Sequence, residues 1–307
     1  MTFTVVSYLR GIPASNKNPE KPRVLSDFVI GVNANGDKGI LSNDLKLIVA
    51  DVAVIQGFVH EEGKQAPHLE FRSKILEYQR RNRHRTIIVD SNLFLYADPG
   101  NTKGYLRLSY DGIFPNTGEY CYSDPDPKRW EKIKKDLHID LKPWRKNGNH
   151  ILICLQRQGG WSMKGMPVVE FFHKTVAEIR KYTNRPIVVR THPGDKKSLV
   201  YRKELIGNGV TLSNKSLLED LKGAWASVVY NSSPSVASII EGVPCFVLDP
   251  EYSQSAEVAN LDLANIENPI MIERLQWVQK LAQCHWNFED LVSGSAWNHM
   301  RQWVRPQ

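Results

Sequence analysis

The sequence predicts an α/β chain built from two Rossmann-like domains. Short apolar runs alternate with amphipathic helical stretches along most of the 307 residues, as expected of parallel sheets covered by helices. The second half carries five strand–helix steps at short, even spacing, the pattern of a doubly wound sheet. The length suits two such domains, and a hydrophobic content of 41% supplies an ordinary core.

Element by element, the apolar run at 3–9 reads as a strand. Residues 12–23, polar and proline-containing, read as a surface loop. A short amphipathic helix is expected over 24–32, then a turn over 33–39 (Asn-Ala-Asn-Gly-Asp-Lys-Gly) and a buried strand within 47–59. Leu69, Ile75, Leu76 and Tyr78 among charges predict a helix over 68–81, and 86–89 is a compact strand closed by Asp90-Ser91-Asn92. From 98 to 126 the pattern dissolves into Gly, Pro and Asn with Tyr105, Tyr110, Phe114, Tyr120 and Tyr122 interspersed, a long irregular segment of the functional kind. A helix follows at 128–137. The polar run 142–149 precedes a strongly apolar one and reads as the linker, giving domains 1–146 and 147–307.

The second domain reads as strands at 151–155, 187–190, 210–212, 226–230 and 245–248, with helices at 168–182, 216–223 and 235–241. The remainder, 272–304, carries Trp277, Trp286, Trp297 and Trp303 on helical patterns as packing anchors and is placed with this domain.

Forty basic against thirty-three acidic residues give a net charge of +7, which favours a polyanionic partner. The excess is concentrated at 72–85 and 128–146, either solvated helix faces or a polyanion surface. Four cysteines without CxxC spacing argue against structural zinc and a disulfide framework. No run of eighteen apolar residues occurs, and Arg10 and Pro13 interrupt the amino terminus, so a cytoplasmic chain with no membrane partner is expected.

In an open parallel sheet, ligands lie where strands end. Three loops qualify. After the first strand of the second domain comes Gln156-Arg157-Gln158-Gly159-Gly160-Trp161-Ser162, where glycines admit backbone N–H groups to a phosphate and Arg157 can neutralise it; a plain glycine turn is as good a reading. Arg190-Thr-His192-Pro-Gly-Asp195 sets an arginine and a histidine beside a rigid bend. In the third, Tyr230-Asn231-Ser232-Ser233-Pro234-Ser235, small polar residues precede a helix whose first N–H groups suit a diphosphate, unless Ser233 serves as an ordinary N-cap.

The run N-S-S-P-S-V-A-S-I-I-E-G-V-P-C-F-V-L-D resembles the donor-binding segment of GT-B glycosyltransferases, and R-T-H-P-G-D resembles their basic-His-Pro loop, over 150–260. C-L-Q-R-Q-G-G-W-S-M with Y-N-S-S and the segment at 112–116 look most like T-even-type bacteriophage glycosyltransferases that modify 5-hydroxymethylcytosine in DNA. The resemblance implies a GT-B fold, two Rossmann-like domains facing a central cleft, and transfer from a UDP-sugar to 5-hydroxymethylcytosine in duplex DNA; no metal need be invoked, since no DxD pair occurs beside the donor loops. It places Asn231, Ser232, Ser233 and Ser235 on the diphosphate, Arg190 and His192 beside it, and Glu241 and Asp249 nearer the sugar or ribose; these last two could instead terminate their helix and strand. A base from the first domain would deprotonate the acceptor, Asp37 first, then Asp90 and Asp111, although aspartate is also the usual turn residue. Arg80, Arg81, Arg83 and Arg85 would contact DNA phosphates, and the 105–122 aromatics would support an extruded base. Two alternatives stand beside this: a cell-surface polysaccharide or lipid-linked acceptor, and an inactive nucleotide- or DNA-binding module.

Overall fold

A computed structural model describes residues 1–9, 21–60, 67–207 and 209–305. In chain order the elements are β1 (Thr4–Tyr8), α1 (Lys21–Ala34), β2 (Lys38–Ser42), β3 (Val52–Gln56), α2 (Pro67–Arg81), β4 (Arg85–Ser91), β5 (Leu106–Tyr110) and α3 (Pro127–Leu137). Next come β6 (His150–Cys154), α4 (Val168–Ile179), β7 (Ile187–Arg190), α5 (Ser198–Tyr201), β8 (Val210–Leu212), α6 (Leu217–Lys222), β9 (Ala224–Val229), α7 (Pro234–Ile240) and β10 (Cys245–Val247). The chain closes with α8 (Leu275–Gln283), β11 (His285–Trp286), α9 (Phe288–Val292) and α10 (Ser295–Met300). Of the loop expected over 12–23, residues 12–20 lie outside the described residues, and 21–23 begin α1.

Two compact units result: Met1–Asn92 with Gly100–Asp136 and Val278–Gln307, and Leu93–Pro99 with Leu137–Trp277. The expected halves 1–146 and 147–307 therefore need correction at the carboxyl end, which packs into the first unit. The cause is specific. Trp297 donates its indole N–H to Asp37 Oδ2 at 2.7 Å and meets Phe28 edge-on with ring centroids 6.0 Å apart. Trp286, Trp297, Met300 and Trp303 share one core with Val5, Val54 and Val89. Helical periodicity reveals that a face is buried but not which core receives it.

The first sheet has the order β11-β5-β4-β3-β1-β2. Its strands β1 to β4 are parallel, β5 runs antiparallel to β4, and β11 antiparallel to β5. β2 and β5 fall in stretches read as turn and irregular segment. Lys38–Ser42 forms an edge with one neighbour and little apolar content, which removes the usual strand signal. Leu106–Tyr110 alternates over only five residues, too short to stand out from its glycine-rich flanks.

The second sheet, β10-β9-β6-β7-β8, is wholly parallel. From β6 the chain steps through β7 and β8 in one direction, then returns to β9 and β10 on the other side, so the topological switch lies between β6 and β9. Ile151, Ile153, Val189, Val228 and Phe246 are fully buried beneath Phe171 and Ile179. Strands covered on both faces read as continuous apolar runs, which is why this half was legible.

Buried histidines make the fold acid-sensitive. His285 is held near pKa 3 by burial, with the charges of Arg107 and Arg129 acting in the same direction against the hydrogen bond to Leu281 O. Burial also lowers His299 and His150. Between the ordinary value of 6.5 and the folded value of about 3, the unfolded chain binds a proton that the folded chain refuses. Stability therefore falls as pH drops through that window, by up to about 1.4 kcal/mol per pH unit for His285, and His299 and His150 act in the same direction. The Tm should decline steadily below pH 6.5, and a Tm unchanged from pH 7 to pH 4 would contradict this.

Candidate functional site

All strands of the second sheet end on one edge, and the loops after β6, β7, β9 and β10 meet there. The loop after β6 is a tight turn: Gly160 N–H donates to Arg157 O at 3.0 Å, and Gly159 takes φ +73°. A Cβ at Gly159 would meet nothing within 4 Å. The residue thus supplies a backbone angle that L side chains disfavour, while Gly160 spends its N–H on the turn.

Arg157 leaves this turn exposed and reaches the loop after β7. A Cβ at Gly194 would lie 2.7 Å from Arg157 Nη2 and 3.2 Å from His192 Cε1, so guanidinium, imidazole and Gly194 converge. His192 Nδ1 accepts the Gly194 N–H at 2.9 Å, which leaves the neutral ring's proton on Nε2 as a donor. Burial, then the nearby Arg157 charge, hold its pKa below the ordinary value. Asp195 pins both loops, accepting from Tyr201 Oη at 2.5 Å, Lys197 N at 2.9 Å and Gln158 N at 3.1 Å.

Several expected ligand contacts instead build the frame. Asn231 is buried; its N–H donates to Gln156 Oε1 at 3.2 Å, and its Nδ2 donates to Ser162 O at 3.0 Å and Asp249 Oδ2 at 2.9 Å. Asp249 also holds Lys164 at 3.1 Å, and Lys164 reaches Glu251 at 2.8 Å. These bonds lash together the loops after β6, β9 and β10. Ser235 Oγ donates to Ser232 O at 2.9 Å and lies 2.9 Å from Ser255 Oγ. Arg190 is paired with buried Asp220 at 2.6 Å, and Asp220 also accepts from Ser213 Oγ at 2.7 Å. Asn231, Ser235, Arg190 and Asp249 therefore direct polar atoms inward, where satisfied networks rigidify a site.

Ser233 is exposed at the start of α7, which no side chain caps, and the buried Ser232 Oγ has no hydrogen-bond partner. Glu241 requires a correction. It terminates α7 at the opposite edge of the sheet, ion-paired with Lys142, away from any ligand at the strand ends. The following Gly242 has φ +76°, and a Cβ there would fall 2.2 Å from Pro143 O. The E-G-V-P turn is thus fixed by packing.

In the first unit, the three candidate bases separate by sheet edge. Asp37 directly precedes β2 at the amino edge, accepting from Phe3 N at 2.9 Å and Trp297 and pairing with Arg301 at 3.2 Å. Asp111 follows β5, whose reversed direction also carries it to the amino edge; it accepts from Thr86 N at 2.9 Å and pairs with Arg85 at 2.8 Å. Both are structural anchors. Asp90 alone stands at the carboxyl edge, paired at 3.1 Å with Arg107, whose Nε and Nη1 have no hydrogen-bond partner. Arg107 escaped the sequence reading, although an arginine within L-R-L-S-Y is a visible break in the apolar pattern. Lys164 and Gln156 escaped too, because nothing local signals their partners.

Of the four arginines expected on DNA phosphates, three are exposed and one is committed to internal partners. Arg80, Arg81 and Arg83 are exposed where α2 returns to the amino edge of the sheet. Arg85 is spent on Asp111, on Trp303 O at 2.9 Å and on the ring of Tyr110. Tyr105, Tyr110, Phe114 and Tyr120 are buried, with hydroxyls on Asp136 (2.7 Å), Met300 O (3.2 Å) and Ile113 O (2.7 Å) for the three tyrosines in turn. They are core pillars and offer no free ring for a base.

No family model matches the chain, and no curated protein matches it. Solved structures do. KpsC of Thermosulfurimonas dismutans, beta Kdo 2,4 transferase, is similar with a TM-score of 0.52 at 11% identity, covering 95% of this chain and 98% of that one. KpsC of the same organism, beta Kdo 2,7 transferase, is similar with a TM-score of 0.52 at 15% identity and the same coverage. The chain has the GT-B fold. Within this GT-B chain, the described residues contain no group of three or more His, Cys, Asp or Glu poised to hold a metal ion, and no helix long and apolar enough to cross a membrane.

Proposed function

We propose that the chain is a glycosyltransferase that holds a nucleotide-sugar, a UDP-sugar in the reading from sequence, at the carboxyl edge of the second sheet and passes the sugar to a carbohydrate hydroxyl. The convergence of Arg157 and His192 beside the topological switch carries this reading. As the glycosidic bond breaks, the leaving phosphate gains charge. The Arg157 guanidinium and the His192 Nε2–H are the donors that would receive it. The Asn231–Asp249–Lys164 lashing keeps their loops from rearranging. On the acceptor side Asp90 is the candidate base, its carboxylate oriented by Arg107.

A saccharide acceptor is favoured over duplex DNA. The net charge of +7 speaks for DNA carrying 5-hydroxymethylcytosine, but the exposed arginines lie at the amino edge, and Tyr105, Tyr110, Phe114 and Tyr120 are buried while Tyr122 is half-buried. The two KpsC structures, named as Kdo transferases, add Kdo to the donors worth testing.

The test offers UDP-glucose, UDP-N-acetylglucosamine, UDP-arabinose and nucleotide-activated Kdo with oligosaccharide acceptors or hydroxymethylated duplex DNA, and reads products by mass spectrometry. A sugar-mass increase on an oligosaccharide is expected. Product on DNA alone would replace the acceptor, and neither transfer nor donor hydrolysis from any donor would overturn the enzyme reading. Replacing Arg80, Arg81 and Arg83 together by Gln should leave saccharide transfer within about twofold, as expected for surface charges remote from a site; a tenfold loss would contradict their placement.

A further inference from the structure

The first unit contains a cavity of about 550 Å³ between the start of α3, the end of α8, β11 and α10, within the range of small-molecule sites. None of the donor loops contributes to it. Trp286 is at its wall, with the Arg129 guanidinium 4.0 Å from its ring centre and the His299 ring centre 5.2 Å away. The Trp286 Nε1–H is buried without a hydrogen-bond partner. Leaving such a donor unmet costs about 1–3 kcal/mol, which a ligand that draws the indole edge toward the cavity would recover. His299 supplies the complement. Its Nε2 lies 2.6 Å from Cys121 O and so carries the proton, which leaves Nδ1 as an acceptor; burial lowers the ring's pKa and favours this neutral form.

Charge selects the ligand class. Arg129 is paired with Asp290 at 2.6 Å, and Lys132 with Asp136 at 3.4 Å and Asp290 at 3.6 Å. Lys128, Asp124 and Asp126 line the same cavity. With Asp136 and Asp290, four carboxylates stand around the three cations Lys128, Arg129 and Lys132, so no excess positive charge favours an anion. A donor, an acceptor and the Asn298 and Gln302 carboxamides instead match a neutral polyol, whose hydroxyls both give and take hydrogen bonds.

We propose that this cavity is a second carbohydrate site, binding a neutral sugar unit of the acceptor chain independently of the nucleotide-sugar. The ligand class rests on the carbohydrate-acceptor reading above, but binding here is measured without any donor.

Intact protein is titrated with maltotriose, cellotriose and diacetylchitobiose, with sialyllactose as the anionic control, following tryptophan fluorescence and saturation-transfer NMR. At least one neutral oligosaccharide should bind with a Kd of about 1–10 mM. The Asn298→Ala/Gln302→Ala variant should weaken it at least about fivefold, the loss of one or more hydrogen bonds, with Tm and UDP binding unchanged. No neutral sugar binding by about 50 mM, binding of sialyllactose alone, or equal affinity in the variant would overturn the proposal. Transfer activity without binding here removes this site alone, whereas binding here without transfer removes only the enzyme reading.

Discussion

Gly31→Ala is expected to destabilise the protein by about 3 kcal/mol or more, the scale of overpacking against unyielding backbone. A Cβ at Gly31 would lie 2.0 Å from Leu291 O and 2.9 Å from Gly294 Cα. Neither is the end of a flexible side chain. Asn35 further stitches the contact, donating to Gly31 O at 2.8 Å and Gly294 O at 3.0 Å. The substitution therefore drives α1 away from the turn joining α9 and α10, and with it Trp297 from the core. Gly36→Ala is the control: its φ is +75°, but a Cβ there meets nothing within 4 Å, so only the backbone cost of about 1 kcal/mol applies. Denaturant midpoints decide it. Equal losses in the two variants would show that 278–307 does not dock on the first unit as described.

The second large effect concerns the donor loops. Replacing Arg157 and His192 together by Ala should lower kcat/KM about 10²- to 10³-fold, the scale of lost preorganised charge stabilisation, with little change in Tm because Arg157 is exposed. Arg190→Ala should behave in the opposite way. Its guanidinium is committed to Asp220, whose side chain is 3% exposed, and removing one partner of such a pair costs about 3–5 kcal/mol of stability. If Arg190→Ala left stability intact while weakening donor use, the assignment of roles between the two arginines would be reversed.

Local sequence does not show this division of roles between the two arginines. R-T-H-P-G-D shows an arginine and a histidine next to a bend, but Asp220, thirty residues on, decides that Arg190 faces inward. Arg157 looked no better than a surface turn until Gly194 and His192 were found beneath it. The strands of the second sheet are legible because, apart from β8 with its exposed Thr211, they are buried apolar runs. The acidic candidates could not be ranked, since Asp37, Asp90 and Asp111 are all turn residues by local pattern. Their edges depend on strand direction, and the antiparallel pairing of β5 to β4 carries Asp111 to the wrong one. Glu241 shows the same limit: a helix that starts at the ligand edge ends at the other.

The most direct measurement is an amide chemical-shift titration of isotopically labelled protein with UDP. Perturbations should concentrate at residues 156–162, 190–194 and 231–235, and the Arg157→Ala/His192→Ala variant should weaken the binding at least about tenfold, or 1.4 kcal/mol. Perturbations confined to other residues, or an unaltered affinity in the variant, would contradict the placement of the nucleotide on which the account depends.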